Sequence, residues 1–206
     1  LSWSAFAPSN LALIKYMGKL PSPAKSKSRY KNIQTKPDSS FSHYLHIPKE
    51  LTAHLSSADE DRFWFENRAA NPSLSYTLPH FISKVRIKKS SSDRWTPFEK
   101  NPFKDSSLYQ PSHNGGLDFT LTEKEQSRFL NFFKFLKNFF LIPGQYEISS
   151  QNNFPKATGI ASSASSFCAL TFATYKLAQE KSLLEKKKLQ TVTKQILANL
   201  SRAGSG

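Results

Sequence analysis

Apolar side chains recur along this chain with two different spacings. Over residues 122–140 the spacing is helical. Phe129, Leu130, Phe132, Phe133, Leu136, Phe139 and Phe140 form a broad stripe, and Thr122-Glu123-Lys124-Glu125 ahead of them has the form of a capping start. A stripe of this width is a core face rather than a ligand box. A second helical stretch carries Phe167, Leu170, Thr171, Thr174 and Leu177. Ala164, Ala169, Ala173 and Ala178 lie between them, small enough for close packing against a sheet. A third helix is predicted over residues 182–200. Residues 2–7 alternate around Trp3 and Phe6 and predict a first strand, followed by a loop and short turn over residues 8–20. Further short strands are predicted at residues 41–45, 51–55, 62–66 and 145–150. Strands and helices mixed without strict alternation indicate an α+β fold rather than a doubly wound sheet.

The segments between these elements are of two kinds. Residues 21–38 are rich in Pro, Ser and Lys and predict a surface loop. Residues 90–116 hold Pro97, Pro102, Pro111 and Asn114-Gly115-Gly116, which predicts a long irregular insertion. No internal repeat is present. No run of 18 or more apolar residues occurs, so no membrane-spanning helix is predicted, and residues 1–7 are too short and uncharged for a signal peptide. The single cysteine, Cys168, falls on the second helical pattern, where a small buried residue is expected and no disulfide within the chain can form. A cytoplasmic location is the expectation.

Charge changes the picture only in part. Lys and Arg number 29 against 15 Asp and Glu, a formal net charge of +14. Such an excess suits either a nucleic acid or a polyanionic substrate. The cations are dispersed, and the longest run, Lys186-Lys187-Lys188, lies on a helical pattern where a solvated face is expected. His43, His46, His54, His80 and His113 are scattered and form no recognisable metal set.

The segment richest in candidate chemistry is Asn152-Asn153-Phe154-Pro155-Lys156-Ala157-Thr158-Gly159-Ile160-Ala161-Ser162-Ser163-Ala164-Ser165-Ser166. It is a Gly/Ser-rich turn between a predicted strand and a predicted helix. Small residues let backbone N–H groups approach an anion, and the positive end of the helix dipole points at the same place. The Walker spacing is absent. Taken alone, serines ahead of an apolar helix are more often an ordinary N-cap.

Separated motifs carry a resemblance. Ala7-Pro8-Ser9-Asn10-Leu11-Ala12-Leu13-Ile14-Lys15-Tyr16-Met17-Gly18-Lys19 resembles the A-P-x-N-I-A-x-x-K-Y-W-G-K signature of mevalonate diphosphate decarboxylases, in the GHMP kinase superfamily. The Asn152–Ala164 stretch resembles that family's N-N-F-P-x-x-x-G-L-A-S-S-A phosphate loop. Ser201-Arg202-Ala203-Gly204-Ser205-Gly206 resembles the start of its R-x-G-S-G-S-A-x-R motif, and Asp38-Ser39-Ser40-Phe41-Ser42 is a weaker match to N-S-S-I-S. Met17 stands where the family has Trp, and Asp38 where it has Asn. The arginine that the family sets on the substrate diphosphate, near the start of the central helix, has Arg128 as its nearest counterpart.

The resemblance implies a GHMP kinase N-terminal domain over residues 1–200. Residues 201–206 would open a substrate loop leading to a C-terminal domain. The implied reaction is ATP-dependent decarboxylation of mevalonate 5-diphosphate to isopentenyl diphosphate, through phosphorylation of the 3-hydroxyl and loss of phosphate and CO₂, with ATP and Mg²⁺ as cofactors. Lys15 and Ser163 are the implied catalytic residues. Tyr16, Met17, Gly18, Lys19, Ser205 and Gly206 would hold the substrate. Asn153, Pro155, Gly159, Ile160, Ala161, Ser162, Ser163 and Ala164 would hold ATP, and no protein side chain is expected to bind metal. The family's catalytic aspartate lies farther downstream, so these residues are expected to be the N-terminal portion of a longer protein and not to turn over alone. A homodimer is left open. Two alternatives stand beside this assignment: a relative phosphorylating mevalonate or its monophosphate, and a basic RNA-binding module, since the fold also occurs in a ribosomal-protein domain.

Overall fold

The structure, a computed structural model, describes residues 1–14, 48–65, 74–103, 120–155 and 161–205. The predicted loop at 21–38 and strand at 41–45 lie outside the described residues. Four strands form one sheet in the order β1-β2-β4-β3. Strand β1 (Ser2–Ile14) pairs antiparallel with β2 (Leu74–Ser90), and β2 pairs antiparallel with β4 (Gln145–Asn152). The short β3 (Arg94–Trp95) runs parallel to β4. Alternation along each strand places Trp3, Ala5, Ala7, Val85, Ile87, Tyr146 and Ile148 in the core.

Two long helices complete that core. Helix α2 (Glu123–Phe140) buries Phe129, Phe132, Phe133, Phe135, Leu136, Phe139 and Phe140. Each such side chain contributes about 1.5–3 kcal/mol by leaving water. The predicted capping start is a full capping box: Thr122 Oγ1 accepts from Glu125 N at 3.3 Å, and Glu125 Oε2 accepts from Thr122 N at 2.8 Å. At the other end Leu141 takes the left-handed conformation, φ 48°, and His54 Nε2 lies 3.1 and 3.0 Å from the carbonyl oxygens of Asn138 and Phe139. Helix α3 (Ser162–Lys181) packs on β1 and β2, and its Phe167 meets Phe132 edge to face at 5.1 Å.

Several predicted elements differ in the structure. Residues 51–55 form no strand: Leu51 ends a 3-10 turn (Lys49–Leu51) and the chain then turns. Residues 62–65 belong to helix α1 (Ser57–Phe65) instead of a strand. Ser56 Oγ accepts from Asp59 N at 3.2 Å, a local cap that starts the helix, and Phe63 is buried against Phe139 at 5.4 Å. The Arg62 guanidinium lies over the Phe135 ring, 4.8 Å from its centroid. Strand β1 continues through residues 8–14, predicted as loop, because β2 supplies a partner as far as Leu74. Strand β2 itself matches no predicted element. The predicted helix over 182–200 is two: α4 (Lys186–Gln190) and α5 (Lys194–Gly204). The break is stabilised by Thr193, whose Oγ1 accepts from Ile196 N at 3.3 Å. Helix α5 also takes in Ser201–Gly204, and Cys168 is only partly covered rather than buried. Burial pushes its thiol pKa up, partly offset by a hydrogen bond with Ser201, so it stays protonated near neutrality.

Candidate functional site

The buried face of the sheet changes character along its length. Register aligns Trp3, Ile87 and Ile148 in one row, then Ala5, Val85 and Ser150, then Ala7, Ser83 and Asn152. The core face thus passes from apolar to hydroxyl and amide within three rows, and α3 begins beside the polar end. Ser83 is 1% exposed, Asn152 1% and Ser165 3%, so their polar atoms need partners from the protein. They find them in one another. Ser83 Oγ donates to Asn152 Oδ1 at 2.7 Å and meets Ser165 Oγ at 2.6 Å, and Ser166 Oγ lies 3.2 Å from the same Asn152 oxygen. Ser165 and Ser166 also reach the Ser162 carbonyl at 3.0 and 2.9 Å. This network ties the first turn of α3 to β2 and β4, at about 0.5–1.5 kcal/mol net per bond. Trp95 extends it, with Nε1 donating to Ser150 Oγ at 2.9 Å.

The helix start is built to accept rather than to be closed. Ala161 precedes α3 in the left-handed conformation, φ 55° and ψ 42°, and no side chain caps the helix. The serines of the loop therefore do not form an N-cap. Among the described residues, the N–H groups of the first turn have no capping partner, which leaves donors and the positive dipole end for an anion. Ser162 and Ser163 line a cavity of about 290 Å³, together with Ser150, Asn152, Ser166, Arg128, Glu125 and the side chains of Leu121, Phe129 and Phe167.

Arg128 joins this cavity to the end of α5. Its Nη2 donates to the Gly204 carbonyl at 2.8 Å, and its guanidinium stands 5.0 Å from the Phe167 ring centroid. Gly204 is required there by space: a Cβ would lie 2.7 Å from Phe167 Cδ1 and 3.0 Å from the Phe132 ring. Arg202 closes the neighbouring helix end, donating to the Phe63 carbonyl at 2.8 Å. A wider groove of about 590 Å³ runs from Arg128 past Lys124, Asn131 and Lys134 to Arg62 on α1.

Of the residues singled out in the sequence, Ala161, Ser162, Ser163 and Ala164 come together at the α3 start. Ser205 is the C-cap of α5, one residue beyond the carbonyl held by Arg128. Lys15, Tyr16, Met17, Gly18, Lys19, Gly159, Ile160 and Gly206 lie outside the described residues, and Pro155 is the last described residue before the loop. Asn153 has a different setting. Its Oδ1 accepts from Ile82 N at 2.7 Å and its Nδ2 donates to the His80 carbonyl at 2.8 Å. The register with β1 jumps from Ile82 to Leu78 here, so the amide braces a bulge. Phe154 packs edge to face on Phe81 of the same bulge at 5.9 Å. Asn152, Ser150 and Ser166 had no ligand role assigned from the sequence, although strand alternation allows only one of two adjacent asparagines to face the helix side. Among the described residues no three His, Cys, Asp or Glu side chains converge as a metal site.

Fold and site together define a mixed α/β domain with an uncapped helix start over a pocket of mixed polar and aromatic lining. A family profile described as "Diphosphomevalonate decarboxylase-like N-terminal domain" matches residues 70–206, and the chain belongs to that family. The structure is similar along its whole length to a mevalonate diphosphate decarboxylase from Legionella pneumophila, at 31% identity and a TM-score of 0.54, covering 47% of that chain. It is likewise similar to the mevalonate diphosphate decarboxylase from Enterococcus faecalis, described for its mevalonate diphosphate mediated ATP binding, at 20% identity, a TM-score of 0.57 and 43% of that chain. A third similar structure is MDDEF in complex with MVAPP, AMPPCP and magnesium, at 21% identity, a TM-score of 0.55 and 42% of that chain. The chain thus spans less than half the length of these relatives. No curated protein matched the sequence. Among the described residues no helix is long and apolar enough to cross a membrane.

Proposed function

We propose that this chain forms the ATP-phosphate-binding part of an enzyme that decarboxylates mevalonate 5-diphosphate. The observation carrying this reading is the uncapped start of α3, with Ser162 and Ser163 opening on a cavity that also holds Arg128. Membership of the diphosphomevalonate decarboxylase-like family supports it, as do similar structures described with ATP or with MVAPP, AMPPCP and magnesium. ATP would supply the phosphoryl group for the 3-hydroxyl, which then leaves as phosphate with loss of CO₂.

The chain's own residues have to hold two polyanions close together in fixed dipoles, since phosphoryl transfer is governed by positioning and charge stabilisation. The N–H groups of Ser162, Ser163 and Ala164 cradle phosphate oxygens. The helix dipole adds about 0.3–1 kcal/mol at an exposed site and up to ~2 kcal/mol when partly buried. Ser163 supplies a hydroxyl to the transferring phosphate. Arg128, anchored on the Gly204 carbonyl, sets a positive charge between that cradle and Ser205, where the substrate diphosphate would sit. By motif resemblance Lys15 is assigned to catalysis, and Tyr16 and Lys19 to the substrate.

The test incubates the intact protein with ATP, Mg²⁺ and mevalonate bearing zero, one or two 5-phosphates, following ADP and CO₂. The proposal predicts both products with the diphosphate. ADP without CO₂ would make the protein a kinase, and neither product with any of the three would refute the enzyme reading. Lys15→Ala is expected to lower turnover more than substrate affinity, and equal losses would remove its catalytic role.

A further inference from the structure

Adjacent asparagines at the end of β4 have opposite fates. Asn153 gives its amide oxygen and nitrogen to the β2 bulge. Asn152 is 1% exposed and turns Oδ1 toward two hydroxyls, Ser83 Oγ at 2.7 Å and Ser166 Oγ at 3.2 Å. Its Nδ2 has no hydrogen-bond partner among the described residues. The fully enclosed side-chain atoms without a partner among the described residues are Trp3 Nε1 and Arg86 Nε, so Nδ2 is not enclosed: it is a free donor reached from the cavity. Asn152 lines the cavity at the α3 start, between Ser150 and the two serines of the helix. That cavity is where an acceptor would lie.

We propose that Asn152 is a ligand-contacting residue whose Nδ2 donates to a phosphoryl oxygen bound at the α3 start, with Ser83 and Ser166 fixing the amide so that the nitrogen faces the ligand. The inference rests on the proposed phosphate-binding role of the cavity. It moves the amide contact from Asn153, which the loop motif suggests, to its neighbour. An anion suits the geometry because donors prevail around it: helix N–H groups, the Asn152 amide, serine hydroxyls and the Arg128 guanidinium, against one carboxylate, Glu125, whose Oε2 already accepts from Thr122 N and Oγ1.

The test uses Asn152→Asp in the intact protein. The new carboxylate keeps an oxygen for the Ser83 and Ser166 hydroxyls, removes the donor and places negative charge at the ligand. Binding of Mg²⁺-ATP and of mevalonate 5-diphosphate is measured separately by titration calorimetry, with circular dichroism to check the fold. At least a tenfold weakening for one of the two ligands is expected, and the affected ligand identifies whose phosphate Nδ2 meets. Asn153→Asp is expected to lower the unfolding midpoint with little change in either affinity. Affinities within twofold of the parent for both ligands with Asn152→Asp would overturn the proposal while leaving the proposed function standing. A parent protein that binds neither ligand would overturn both. Should Asn152→Asp fail to fold, the side-chain NH₂ resonances of Asn152 are followed in the ¹⁵N-labelled parent. A shift on saturation with either ligand supports the contact, and unchanged resonances with both overturn it.

Discussion

Replacing Gly204 with alanine tests how closely α2, α3 and α5 meet beneath the cavity. The added methyl would lie 2.7 Å from Phe167 Cδ1 and 3.0 Å from two Phe132 ring atoms. Neither ring has room to retreat: Phe132 is 0% exposed, Phe167 is 4% exposed, and they already pack edge to face at 5.1 Å. Overpacking of this kind costs about 1–3 kcal/mol. Gly204 has no positive φ, so alanine meets no backbone strain and regains up to ~1 kcal/mol of helix propensity. The net expectation is a loss of about 1–2 kcal/mol, a fall of roughly 2–8 °C in unfolding midpoint for a domain of this size. The shift also moves the carbonyl on which Arg128 is anchored, so Mg²⁺-ATP or mevalonate 5-diphosphate should bind more weakly as well. Thermal unfolding by circular dichroism gives the first quantity and titration calorimetry the second. A midpoint equal to or above that of the parent would refute the packing argument.

Asn153→Ala leaves the buried Ile82 N–H without its acceptor and should cost about 1–3 kcal/mol in urea unfolding, with ligand affinity little changed. Thr122→Ala removes one half of the capping box and should cost about 0.5–2 kcal/mol, read from the same unfolding curves. The Glu147 carboxyl is held below its ordinary value of 4.5, first by its hydrogen bond from Arg94, a lowering that burial opposes and the charge of Arg94 reinforces. A depressed carboxylate stabilises the fold above its unfolded pKa, and that contribution disappears as pH falls through the folded value. Arg94→Ala should therefore raise the Glu147 titration midpoint in carboxyl-detected NMR and shrink the stability lost between about pH 6 and about pH 3. An unchanged midpoint would count against the ion pair.

The parts of the fold that were legible in the sequence were those whose local signals agreed. Helix α2 announces itself by a phenylalanine stripe and by Thr122 and Glu125 at capping-box spacing. Helix α1 was hidden because Phe63-Trp64-Phe65 looks like a buried strand, while its start signal is only the short Ser56–Asp59 pair. Strand β2 does alternate, with Val85 and Ile87 buried between Lys84, Arg86 and Lys88. Those cations and the neighbouring Pro79 obscured it, and its pairing with Ser2–Ile14 is a long-range fact that no window reveals. The Gly/Ser-rich segment after β4 was legible as a motif, and the helix it predicts begins at Ser162. Which asparagine faces the cavity was not, because that depends on the bulge at residues 79–81, set by pairing between distant segments. Arg128 became interpretable only once α2 and the end of α5 were seen side by side.

The most direct test of the account is a crystal structure of the intact protein with mevalonate 5-diphosphate, magnesium and a non-hydrolysable ATP analogue. The account predicts nucleotide phosphates within hydrogen-bonding distance of the N–H groups of Ser162, Ser163 and Ala164. It also predicts the Asn152 amide nitrogen on a phosphoryl oxygen and the substrate diphosphate beside Arg128 and Ser205. Phosphates bound elsewhere, with the α3 start left to water, would contradict it.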